Sequence, residues 1–152
     1  MISNRYMTQT GLFVLLASLL LGNVVAQDAT KIDDQTIEGK WVAKESSRNG
    51  PIKLVKEHSG GRTTVTAFDS ANRVLYSKTS EYHTERQGNV KVMVFKNSKF
   101  TAGPDAGKTD NRTKSYVYRV DANRFYEVRG IVIGVHEPVG LVVWDRESPP
   151  AI

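Results

Sequence analysis

The chain has 152 residues, with 21 Lys and Arg against 16 Asp and Glu, a formal net charge of +5 and no cysteine. The lack of cysteine excludes disulfides, thiolate catalysis and Cys-ligated zinc. The cations are scattered and form no run, which fits a solvated surface and argues against nucleic-acid binding, for which a clustered basic face is needed.

Met1 to Thr10 is polar with one cation, Arg5; Gly11 to Leu21 is apolar apart from Ser18; Val24-Val25-Ala26 provides a small-residue exit. A charged start, a short apolar middle and a small-residue exit make an export signal, with cleavage expected after Ala26 and a periplasmic or secreted product. The apolar run is shorter than the ~20 residues of a membrane span, so no span is expected after cleavage. No Cys follows it to accept a lipid. Residues 1–26 are therefore expected to be a signal peptide, 27–36 a flexible lead-in, 37–147 one folded domain and 148–152 a tail. A chain of this length can bury a core without metal or disulfide staples.

From Ile37 onward no helical period is visible. Short runs rich in Val, Thr, Tyr, Ile and Phe alternate with Gly, Asn, Asp and Pro, the pattern of an all-β sandwich or barrel. Strands are predicted over 37–46, 52–58, 62–69, 73–86, 90–101, 114–121, 124–134 and 139–147. Asp69-Ser70-Ala71-Asn72-Arg73, Gln87-Gly88-Asn89 and Asp121-Ala122-Asn123-Arg124 read as hairpin loops, because Asn and Gly tolerate the left-handed backbone and Asp bonds its own main chain.

The loops imply a register. A three-residue loop at Gln87 to Asn89 sets Arg86 opposite Val90, Glu85 opposite Lys91, Tyr82 opposite Val94 and Tyr76 opposite Phe100. One face then collects Tyr76, Tyr82, Val90, Val92, Val94 and Phe100, while the other is mostly polar. This register is preferred because each face has one character. The same reasoning at Asp121 to Asn123 puts Tyr116 and Tyr118 on a face with Tyr126 and Val128. A series of antiparallel hairpins with one apolar face closes most simply on itself, which removes exposed edges. The expected fold is an all-β, antiparallel up-and-down barrel of about eight strands, a size that side chains can fill or that can hold one small ligand.

Ile37-Glu38-Gly39-Lys40-Trp41, at the head of this series, resembles the opening of the lipocalins and the wider calycin group. It is most similar to small exported bacterial lipocalin-like domains that begin with a Leu- or Ile-x-Gly-x-Trp phrase. The resemblance implies that Gly39 and Trp41 lie at the closed end of a barrel and that an Arg just after the last strand packs across the Trp. Leu141-Val142-Val143-Trp144-Asp145-Arg146 is a terminal strand ending in Arg, which makes Arg146 the matching position. The second lipocalin signature, Thr-Asp-Tyr, is absent, since Thr109-Asp110 is followed by Asn111.

Other constellations point to no second chemistry. Ala102 to Thr109 matches a relaxed phosphate-loop pattern, but a strand-like segment follows where the mechanism needs a helix N-terminus, so no nucleotide cofactor is expected. Glu81, His83 and Glu85 share one strand face and could present ligands to a metal; with Lys91 set opposite Glu85, a solvated face and no metal is the expectation. His58 and His136 fall in or near turns. Asn111-Arg112-Thr113 fits a glycosylation sequon on a loop. No nucleophile elbow or His-Glu-x-x-His phrase is present.

The leading functional expectation is a barrel that binds a small, partly apolar molecule in its open end, lined by Tyr76, Tyr82, Val94, Tyr116 and Tyr118. The alternatives are a filled barrel acting through its outer surface as an envelope or interaction module, and a hydrolase or isomerase with an unrecognised site.

Overall fold

A computed structural model describes residues 30–31, 37–47, 50–132 and 137–147. The segments expected to form an export signal and a C-terminal tail, and His136, lie outside the described residues. The strands are β1 (Thr30–Lys31), β2 (Gly39–Ser47), β3 (Gly50–Ser59), β4 (Arg62–Phe68), β5 (Val74–Gln87), β6 (Val90–Ala102), β7 (Thr109–Asp110), β8 (Lys114–Val120), β9 (Arg124–Arg129) and β10 (Gly140–Arg146).

The pairings run β5-β4-β3-β2-β10-β9-β8-β6, and β6 returns to β5. The result is a closed, antiparallel, up-and-down barrel of 8 strands, the architecture of the lipocalins. Closure leaves no long edge exposed. β1 extends the β5 edge by pairing Thr30 with Arg86 and Lys31 with Glu85, within the stretch expected to be a loose lead-in. β7 pairs with β6 beyond the end of β8. β2 and β10 pair at Val42–Asp145 and Trp41–Arg146, and the Glu147 N–H then donates to Lys40 O at 2.9 Å.

The hairpin positions follow the sequence reading, but the register differs by one residue at two of them. Gln87 pairs with Val90, so Gly88 (φ 59) and Asn89 alone form the turn. Positive φ at the first of two loop residues suits the twist of a hairpin. Tyr82 therefore lies opposite Phe95 rather than Val94, and Arg86 rather than Glu85 lies opposite Lys91. A single irregularity in the β5–β6 ladder, between Thr79 and Glu81 where Asn97 has φ 52, then brings Phe100 opposite Lys78 rather than Tyr76. At the next hairpin Val120 pairs with Phe125 and Tyr118 with Glu127. Tyr116 and Tyr118 thus share a face with Phe125 and Glu127, and Tyr126 and Val128 point the other way.

β9 also stops at Arg129, earlier than the expected 134. Gly130 takes φ 74, and a Cβ there would run into the backbone of Glu137 and Pro138. The chain turns off the sheet at a position only glycine fills without strain.

The barrel interior is uneven. At the end bounded by the turns 60–61, 88–89 and 121–124, Ile37, Trp41, His58, Met93, Phe125 and Trp144 are fully buried. Each such large apolar side chain contributes roughly 1.5–3 kcal/mol of burial energy. The other end carries the loops 69–73 and 103–108 and the segment after Gly130, and it is hollow.

Candidate functional site: a polar cavity above a sealed floor

The floor is set by Trp41 and Arg146. The Arg146 guanidinium lies 4.0 Å from the Trp41 ring centroid. Its Nε donates to Ala122 O at 2.6 Å and its Nη1 to Glu38 O at 3.0 Å. The Trp41 indole N–H donates to Ile37 O at 2.8 Å. A Cβ on Gly39, whose φ is 116, would come within 3.0 Å of Arg146 Nη1, so the absence of a side chain there admits the guanidinium.

Above the floor, β3 and β9 carry charge inward. Leu54, Lys56 and His58 alternate on the inner face of β3, and Phe125, Glu127 and Arg129 do the same on β9. Lys56 Nζ lies 2.6 Å from Glu127 Oε2, with side-chain exposures of 3% and 1%. The Trp144 indole N–H donates to the same oxygen at 3.1 Å, and Arg129 Nη2 lies 3.6 Å from it. The ammonium also sits 4.4 Å from the Trp144 ring centroid and 5.3 Å from that of Phe125. These faces offset part of the hydration that burial removes. Burial pushes Lys56 down to about 8 against the pull of Glu127. Burial pushes the Glu127 carboxyl up, but Lys56 and Arg129 hold it below the usual carboxylate range.

His58, one inward step below Lys56, packs its ring at 4.7 Å from Tyr82 and 5.8 Å from Phe125, and neither nitrogen has a hydrogen-bond partner. Burial, and then Lys56, lower its pKa to about 2. It is a strand residue paired with Gly39 and Thr63, near the turn at Gly60 and Gly61.

Above the ion pair the barrel holds a cavity of about 510 Å³, within the range of small-molecule sites. Its wall combines Val65, Tyr76, Phe95 and Val142 with Lys78, Lys114, Arg129, Ser80 and Ser98. The two serine hydroxyls hydrogen-bond at 2.7 Å. At the mouth Lys114 Nζ meets Glu137 Oε1 at 2.6 Å, and the Tyr116 hydroxyl donates to Glu137 Oε2 at 2.7 Å. Burial and that carboxylate raise the Tyr116 phenol above its usual pKa.

The residues expected to line the open end divide. Tyr76 and Tyr116 border the cavity. Tyr82 and Tyr118 face inward in the filled half, Tyr82 donating to Glu38 Oε1 at 3.0 Å and Tyr118 packing 6.1 Å from Phe125. Val94 pairs with His83 and Ser115 on the outward parity, and Phe95 takes the inward place. The wall charges Lys56, Lys78, Glu127 and Arg129 were not expected; their signal is parity with Leu54, Tyr82 and Phe125.

Glu81, His83 and Glu85 lie on the outer face of β5, with His83 Nε2 3.6 Å from Glu85 Oε2 and Glu81 bonded to Asn97. Among the described residues no three metal-ligating side chains converge. The phosphate-loop match is a turn between β6 and β7, with a strand and no helix after it. Asn111 is exposed between β7 and β8. Comparison with protein-family models, curated proteins and solved structures found no significant match.

Proposed function

We propose that this protein is an exported, lipocalin-like barrel that binds a small, partly apolar molecule in its open end. The observation that carries the reading is the contrast between the two halves of the interior. One end is packed to exclusion around Trp41, Phe125 and Trp144, while the other keeps a cavity of about 510 Å³ with both apolar and polar walls. Native interiors rarely leave space of that size empty, and a mixed lining is the usual form of a small-molecule site. The Gly39, Trp41 and Arg146 floor supports the family reading, and the polar-apolar-small pattern before Gln27 supports export.

The test is titration of the purified protein with the neutral, apolar fluorophore N-phenyl-1-naphthylamine. Saturable enhancement at one site is expected, and Val65→Trp, which fills the cavity from β4, should abolish it. No enhancement in the wild type, or equal enhancement in the variant, contradicts the reading.

A further inference from the structure

Three groups of the cavity wall that can donate a hydrogen bond, Arg129 Nε, Thr63 Oγ1 and Lys78 Nζ, have no partner among the described residues. Arg129 Nε and Thr63 Oγ1 are buried without a hydrogen bond. Lys78, half-buried on the inner parity of β5 between Tyr76 and Ser80, forms no ion pair. Buried donors in native proteins are nearly always satisfied, so donors left over at a cavity wall point to something the cavity holds.

Two other cations of the wall have close counter-charges. Lys56 pairs with Glu127 and Lys114 with Glu137, each at 2.6 Å. Glu45, at the mouth, favours the Arg129 charge from a distance but forms no ion pair among the described residues. Four cationic side chains and three carboxylates line the cavity, which leaves one positive charge in excess. Burial, and then repulsion from Lys114, lower the Lys78 ammonium below its ordinary range, and a counter-charge beside it would oppose that shift. The excess of one charge fits a monoanion. A dianion would also meet Glu127, whose Oε1 is buried without a donor.

Building on the small-molecule reading above, we propose that the cavity takes an amphipathic organic acid head first. Its carboxylate lies between Lys78 Nζ and Arg129 Nε, and its apolar part rests on Val65, Tyr76 and Val142 toward the mouth. Thr63 Oγ1 offers the head group a further hydroxyl.

The test is calorimetric titration of the purified protein at pH 7 with sodium decanoate and with decan-1-ol, which share a chain and differ in the head group. A hydrogen bond to a charged group is worth enough to make decanoate bind about tenfold or more tighter than the alcohol. Lys78→Met orphans no ion-pair partner among the described residues and should keep its fold by circular dichroism. It should weaken decanoate about tenfold while leaving the alcohol within about twofold. Equal affinities for acid and alcohol in the wild type would overturn the anion site while leaving the cavity reading intact. A preference for the acid that Lys78→Met does not reduce would also overturn the assignment. Binding of neither probe would remove both the inference and the reading beneath it.

Discussion

Lys56 and Glu127, 71 residues apart in sequence, meet at 2.6 Å inside the barrel, each almost fully buried. This pair forms the boundary between the filled half and the hollow half. An ion pair so placed stabilises the fold little in itself, because desolvation offsets most of the Coulomb attraction. Losing one member is another matter, because the survivor becomes an uncompensated buried charge.

Lys56→Met should therefore destabilise by about 3–5 kcal/mol, measured by urea unfolding. The double variant Lys56→Met/Glu127→Gln removes both charges and keeps an acceptor for the Trp144 indole. It should recover most of that loss. A double variant as unstable as the sum of the singles would show that the two groups are not coupled.

His58 gives a pH dependence of definite sign. Its folded pKa of about 2 lies below the ordinary 6.5, so below pH 6.5 the unfolded chain binds a proton that the folded one does not. Stability is then lost as pH falls, by about 2 kcal/mol between pH 7 and pH 5 from this group alone. His58→Leu, of similar volume, should keep the stability at pH 7 within ~1.5 kcal/mol and lose that slope. A variant with the wild-type slope would place the acid sensitivity elsewhere.

The floor of the barrel can be tested by a cycle on Trp41 and Arg146. Trp41→Ala should cost about 3–5 kcal/mol as a large buried aromatic. Arg146→Ala should cost about 1–3 kcal/mol, through lost packing and unpaired carbonyls. The two costs should be non-additive because the groups touch. Gly39→Ala should cost about 1–3 kcal/mol through its backbone angle, apart from any push on the guanidinium. Strict additivity in urea unfolding would contradict the contact.

The export proposal rests on Arg5, the apolar Gly11 to Leu21 and the exit at Ala26. Protein recovered from its host should begin at Gln27 and be found outside the cytoplasm. A soluble cytoplasmic product that retains residues before Asn23 would contradict this.

The barrel was legible because strand and turn residues alternate so regularly between Ile37 and Arg146. The site was less so, for one physical reason. A register that gives each face a single character misplaces site residues, because the interior itself mixes apolar and charged side chains. Assigning Gln87 and Asp121 to loops flipped the parity of the strands that follow. Val94 then took the place of Phe95, and Tyr126 that of Glu127. Charged residues such as Lys56 and Lys78 read as outer-face residues unless their alternation with Leu54 or Tyr82 is weighed first. The floor was easier, because Trp41 and Arg146 are marked by their places at the start of the first long strand and the end of the last.

The central claim is that the open end of the barrel holds a small molecule. Native mass spectrometry of protein purified from its own host tests it most directly. The account predicts a complex heavier than the mature chain by the mass of one small organic molecule. That mass should be released on denaturation and absent from the Val65→Trp variant. A wild-type spectrum showing only the bare chain, or the same adduct on Val65→Trp, would contradict it.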